Sequence, residues 1–308
     1  MSETPKRSLA ERHKAKFLDA AISEGREPEA VIEDVAAPVV LKVVDDAAPP
    51  QRRLSPVEAH RARVFAAAAI AAGATGTAPA RPETGPEATE YDLLRAQLGE
   101  HMHQLSAEKS VERKIAAKRQ MIDAYDAHVL GVLEAAKETG KAVQDEIFAT
   151  IMVWRLDIGD YGMALEMAEH VLKHKLSLPE RYTRSAATLI AEEIATAGLL
   201  AVTLKQDFQI PVLQRTFDLT DAPENNVNDI VRAKLQKALG LHFLRLADSI
   251  EEAADGPAGA KRAAYAQALH HLDRAFQLNK KSGTQKERER LMKLLEKMPI
   301  ASPETSEA

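Results

Sequence analysis

Five carboxylates, Asp145, Glu146, Asp157, Glu192 and Glu193, are the side chains best placed to do chemistry in this 308-residue chain. Carboxylates that converge can hold one or two divalent cations, activate a water and stabilise a leaving oxygen, as a metal-dependent nuclease requires. Asp145/Glu146 and Glu192/Glu193 are sequence neighbours, so the members of each pair diverge around a helix. The five match no nuclease signature, and their other reading is as groups that solvate helices or cap turns. A second constellation is Glu166, His170 and His174, each four residues apart and so on one helix face, where they could share a cation or simply meet solvent. No Gly-x-x-x-x-Gly-Lys phosphate loop is present, so nothing points to ATP hydrolysis by this chain. The absence of cysteine removes disulfides, thiol nucleophiles and cysteine zinc sites. No cofactor is therefore expected, with Mg2+ entering only if the carboxylates act as a nuclease centre.

The elements that must position these groups are helical. Val143, Ile147, Ile151 and Trp154 recur three or four apart and line one helix face. Leu156-Asp157-Ile158-Gly159-Asp160 breaks that helix, with glycine suited to a left-handed backbone and Asp160 to capping the next helix. Tyr161, Ala164, Leu165, Ala168 and Leu172 then form the buried stripe of a second helix, which makes residues 143–175 a helical hairpin. The word Gly159-Asp160-Tyr161-x-x-Ala164-Leu165-x-x-Ala168 resembles the second helix of a tetratricopeptide unit. Its echo is Tyr265-x-x-Ala268-Leu269-x-x-Leu272-x-x-Ala275-Phe276. Two partial matches so far apart are hairpin packing and not a regular array.

The rest of the chain divides by composition. Aromatic residues are only 4% and alanine is abundant, which favours closely packed helices and an all-α class. No apolar run reaches the ~18 residues of a membrane span, and the start MSETPKRSLAERHKAKF lacks the apolar core of a secretory signal. Residues 1–50 read as a weakly ordered extension, with a short helix at Ser8–Ser23 and strand-like content at Pro38–Val44. Residues 51–90 read as a basic helix opening at Ser55-Pro56, followed by a Pro/Gly linker. Residues 91–140 read as a long helical segment. Its seam of Tyr91, Leu94, Leu98, Met102 and Leu105 suits either self-association or packing within the chain. Residues 141–298 read as the helical-hairpin domain and 299–308 as a mobile acidic tail. The net charge is -5, so any nucleic-acid contact must come from local patches. Arg52, Arg53, Arg61 and Arg63, with Lys114, Lys118 and Arg119, are the candidate phosphate contacts; a solvated helix surface is the alternative.

Several words then line up in order. They are Gln144-Asp145-Glu146-Ile147, Trp154-Arg155-Leu156-Asp157-x-Gly159-Asp160 and Ala164-Leu165-Glu166-x-Ala168. Further along come Glu192-Glu193, Val231-Arg232-Ala233-Lys234-Leu235 and Ala268-Leu269-x-His271-Leu272-x-Arg274-Ala275-x-Gln277-Leu278. With Ser55-Pro56 and Lys118-Arg119 upstream, the span from about Ser55 to Leu295 resembles the small terminase subunit of contractile-tailed bacteriophages, a family often labelled terminase endonuclease subunit. The resemblance implies a homo-oligomer in the host cytoplasm that binds double-stranded viral DNA at a packaging site and recruits the ATPase large subunit. No membrane association is expected, because no apolar run is long enough to span a bilayer. The label also implies an endonuclease subunit that cuts cohesive-end DNA, and a tetratricopeptide-like adaptor that binds only protein is a further alternative.

Overall fold

The structure is a computed structural model that describes residues 54–72, 86–250 and 260–298. The expected extension helix, the strand-like Pro38–Val44 stretch, most of the linker and the acidic tail lie outside those residues. Among the described residues every regular element is helical, as expected. Two compact units divide the chain, 1–186 and 187–308. The expected single hairpin domain at 141–298 therefore spans both units.

In the first unit, α1 (Pro56–Ala72) opens on a reciprocal cap. The Ser55 hydroxyl accepts from the Glu58 N–H at 3.2 Å, and the Glu58 carboxylate accepts from the Ser55 N–H at 2.9 Å. The expected helix start at Ser55-Pro56 is thus a capping box. α1 lies against α4 (Asp126–Thr139) at Gly131, where an added Cβ would stand 2.6 Å from the Ala62 backbone. Only glycine permits that approach.

The long helical segment read over 91–140 is divided twice. α2 (Pro86–Ala107) ends where the Glu108 carboxylate accepts from the N–H groups of Lys109 and Ser110, at 2.7 and 2.8 Å. Ser110 then caps α3 (Val111–Met121), its hydroxyl accepting from the Arg113 N–H. Local side-chain bonds of this kind compete with helix continuation. A 3-10 turn, Ile122–Tyr125, separates α3 from α4. The α2 seam is covered inside the chain: Leu98 and Leu105 are buried, and Tyr91, Leu94 and Met102 are half-buried. It does not present a bare surface for self-association.

α5 (Glu146–Ile158) and α6 (Tyr161–Lys173) form the expected hairpin. α5 is buried on nearly every side, the condition of a helix that serves as the core itself. Asp145 caps α5 by accepting from the Phe148 N–H at 2.9 Å, and Gly159 ends it with φ of +82°. Asp160 accepts from the Met163 N–H at 3.4 Å and starts α6.

The second unit holds α7 (Ala186–Thr203), α8 (Ile210–Thr220), α9 (Asp229–Ser249), α10 (Ala260–Leu278) and α11 (Gln285–Lys297). By length and composition α7 passes as a membrane span, against expectation, yet half of it is buried inside the unit. Ala187, Leu189, Ile190, Ile194 and Ala201 make it a core helix. α9 and α10 pack at Gly240, where an added Cβ would stand 2.7 Å from Leu272. Leu244, Ala247, Tyr265, Ala268, Leu272 and Leu291 form the adjoining core, with Leu294 and Leu295 of α11 packed on it.

Candidate functional site

The most specific word of the sequence, Trp154 to Asp160, occupies the end of α5 and the turn into α6. Trp154 is 2% exposed and meets the Tyr125 ring edge-on, centroids 6.1 Å apart. The Tyr125 hydroxyl hydrogen-bonds His101 Nδ1 at 2.8 Å, and burial pushes that phenol up to about 12. Arg155, almost wholly buried, donates through Nη1 to Asp160 and through Nη2 to Asp126. Burial raises the Asp126 carboxyl above its ordinary range, against the pull of Arg155. Asp157 accepts from Lys118 Nζ at 2.5 Å, and that ammonium also stands 5.9 Å from the Trp154 ring. Arg119 donates to the Ile158 carbonyl at 3.0 Å. One short stretch of α5 thereby fastens α3, α4 and α6 by charge and hydrogen bonds.

The candidate catalytic carboxylates do not come together within the first unit. Asp145 caps the start of α5, where it also meets His128 Nε2 at 2.8 Å and the Tyr91 hydroxyl at 3.4 Å. Glu146 is half-buried and 3.6 Å from Arg95. Asp157 stands twelve residues from Asp145, about 18 Å along the helix axis. In the second unit Glu192 lies 3.6 Å from Lys234, and Glu193 is half-buried beside it in sequence. Among the described residues no three His, Asp or Glu side chains are grouped to hold a metal ion. The donor set does not fit the Mg2+ centre that a nuclease would need.

Glu166 and His170 lie on α6 and His174 caps its end, but the three do not form a metal site among the described residues. Glu166 turns to Lys137 at 3.1 Å. His170 is buried against Phe148, ring centroids 4.9 Å apart, and the His174 ring stands 4.7 Å from it. Burial lowers His170 to about 4, its Nε2 having no hydrogen-bond partner. In the second unit, burial likewise lowers His271 to about 4, with Nδ1 2.7 Å from Gln236 and the ring stacked on Phe243. Both folded values lie below the ordinary 6.5, so these groups favour the folded state fully above pH 6.5. That contribution is lost as pH falls from 6.5 towards 4, where the unfolded chain binds the extra protons. Denaturant unfolding between pH 7 and 4.5 should show stability falling by up to about 1.4 kcal/mol per pH unit for each histidine. Combining His170→Phe with His271→Phe should flatten that fall, and an unaltered slope would refute the assignment.

The expected phosphate-contacting bases are dispersed. Arg52 and Arg53 lie outside the described residues. Arg61 pairs with Glu90 at 3.1 Å and Arg63 with Glu138 at 2.9 Å, so they point to different sides of α1. Lys114 is half-buried, and Arg119 is exposed despite its bond to Ile158. Lys118 is the exception to the expectation: it is buried and bound to Asp157, so it cannot meet DNA without unmaking the α3–α5 contact. Sequence reasoning missed the pairing of Arg155 with Asp126, 29 positions away in the chain, and with Asp160, which it read only as a helix cap. It also passed over the bases of α11, whose three- and four-residue spacing was readable.

Comparison with known proteins adds two matches. A family model described as phage small terminase subunit matches residues 95–229, from within α2 to the start of α9. The chain is also 36% identical over 252 residues to the protein named "Terminase, endonuclease subunit" of Escherichia phage P2. That alignment covers 82% of this chain and 90% of the relative, and so runs through both units. No solved structure matches.

Proposed function

Because this chain belongs to the phage small terminase subunit family and has a role in phage DNA packaging, we propose that it is the DNA-recognition and assembly subunit of the packaging machinery. In this reading it binds double-stranded viral DNA at the packaging site, assembles as a homo-oligomer in the host cytoplasm and recruits the ATPase large subunit. The observation that carries the reading is the alignment over nine-tenths of the phage P2 relative. The absence of a phosphate loop agrees with the ATPase residing on another chain.

The relative's name favours a second reading, an endonuclease subunit. The carboxylates argue for the first, since Asp145, Glu146, Asp157 and Glu192 are each engaged by a hydrogen bond or a base. Incubating the purified chain with packaging-site DNA and Mg2+ separates the two. Specific cleavage would replace the recognition reading with the catalytic one.

For DNA itself, the decisive measurement is a titration of duplex DNA across salt concentrations, with and without the large subunit. Affinity should fall steeply with salt, roughly 0.9 in log K per log salt for each phosphate contact. Arg61 and Arg63 sit in exposed ion pairs, which are worth little and can be exchanged for phosphates. Neutralising Arg52, Arg53, Arg61 and Arg63 together should lower affinity for all sequences and flatten the slope. A wild-type chain that shows no salt-dependent DNA binding would leave the protein-only adaptor.

A further inference from the structure

The hairpin of α10 and α11, residues 260–298, carries ten Lys and Arg against four Asp and Glu, in a chain of net charge -5. Two of the bases are spent on the fold: Arg262 donates to the carbonyls of Leu295 and Met298, and Arg288 pairs with Asp273 at 3.2 Å. Four others form a line. Lys286, Arg290, Lys293 and Lys297 follow at spacings of four, three and four, which puts them within about 60° of one another around α11. All four are exposed, while Leu291, Leu294 and Leu295 on the other side of the helix pack inward.

This line differs from an ordinary solvated face. Helix surfaces usually alternate charge, because Glu and Lys four apart support each other. Here each consecutive pair along the line is like-charged at three or four residues, which disfavours the isolated helix. Glu287 lies 3.5 Å from Arg290, and Glu289 accepts from Gln285 at 3.0 Å. Lys286, Lys293 and Lys297 make no ion pair among the described residues. Exposed Lys280 and Lys281 continue the positive charge into the turn before α11. Self-repulsion of this kind is relieved when a polyanion lies along the helix.

We propose that the Lys286–Arg290–Lys293–Lys297 face of α11 is a backbone-contacting surface for duplex DNA. The proposal rests on the DNA-binding reading above and gives it a location outside the N-terminal bases. The line runs about 16 Å along the helix, and duplex DNA presents a phosphate charge about every 1.7 Å of its axis, so several phosphates face it. Contacts of this type position the protein without reading bases. The surface therefore supplies affinity common to all sequences.

The test uses the full chain, with Lys286→Gln, Arg290→Gln, Lys293→Gln and Lys297→Gln combined; glutamine keeps the helix propensity. A companion variant with Lys286→Arg, Lys293→Arg and Lys297→Arg keeps the charge. Anisotropy of a labelled random-sequence duplex is followed across salt, with circular dichroism to confirm folding. The glutamine variant should bind at least tenfold more weakly at low salt and lose about three to four from the slope of log K against log salt. The arginine variant should keep both. A folded glutamine variant with wild-type affinity and slope, beside an N-terminal variant that loses them, overturns the proposal and leaves the DNA reading standing. Undiminished DNA binding with lost capture of the large subunit also overturns it, making the face a protein contact. A wild-type chain that fails to bind duplex at any salt overturns the proposal and the reading together.

Discussion

Arg155→Ala is expected to destabilise the first unit by about 3–5 kcal/mol, the usual effect of removing one partner from a buried ionic set. The side chain is 3% exposed and stands between Asp126 and Asp160, themselves at most 5% exposed. Its loss strands two carboxylates where water cannot reach them. Asp160 is also the cap of α6, so the damage reaches the start of that helix. Arg155→Lys should recover only part of the loss, because one ammonium cannot replace a planar fork that bonds two carboxylates in different directions. By contrast, Asp126→Leu, Arg155→Met and Asp160→Asn combined should recover most of it, since asparagine still caps and no charge remains buried. Urea unfolding followed by far-ultraviolet dichroism reads all three. A wild-type midpoint for Arg155→Ala would show that the set contributes nothing to folding.

The same residues explain what the sequence made legible. Capping is local, and so the hairpin was readable: Asp145 reaches Phe148 and Asp160 reaches Met163, each three residues on. Gly159 marked the turn by its backbone freedom alone. Pairing across the fold leaves no such local mark. Arg155 meets Asp126 29 positions away, and Lys118 meets Asp157 39 positions away. Asp157 was therefore readable as a candidate carboxylate and Lys118 as a candidate phosphate contact, but not as each other's partner. The α2 seam had a readable period, but a period does not say whether its cover comes from the same chain or another copy. Glu108 and Ser110 ended α2 through side-chain bonds that a count of apolar spacing passes over. On α11 the basic line was present in the spacing, but net charge averages over the whole chain and hides a local patch.

Trp154→Ala should cost a similar amount, about 3–5 kcal/mol, because the cavity opens in the most deeply buried helix of the unit. Trp154→Phe should cost clearly less, since a ring still meets the edge of Tyr125. Trp154 is the sole tryptophan, so its fluorescence reports wild-type unfolding directly, while the variants need dichroism. The indole also forms one wall of the place where Lys118 meets Asp157. Lys118→Met should therefore destabilise the chain, and combining it with Trp154→Ala should cost less than the sum by about 0.5–2 kcal/mol. This coupling separates the two roles open to Lys118. A fold-bearing lysine changes stability, is coupled to Trp154 and leaves the salt slope of DNA binding as it was. A phosphate-contacting lysine would flatten that slope, leave the unfolding midpoint in place and show no coupling to the indole. Burial between Trp154 and Asp157 predicts the first result, and the second would require α3 to leave α5 when DNA binds.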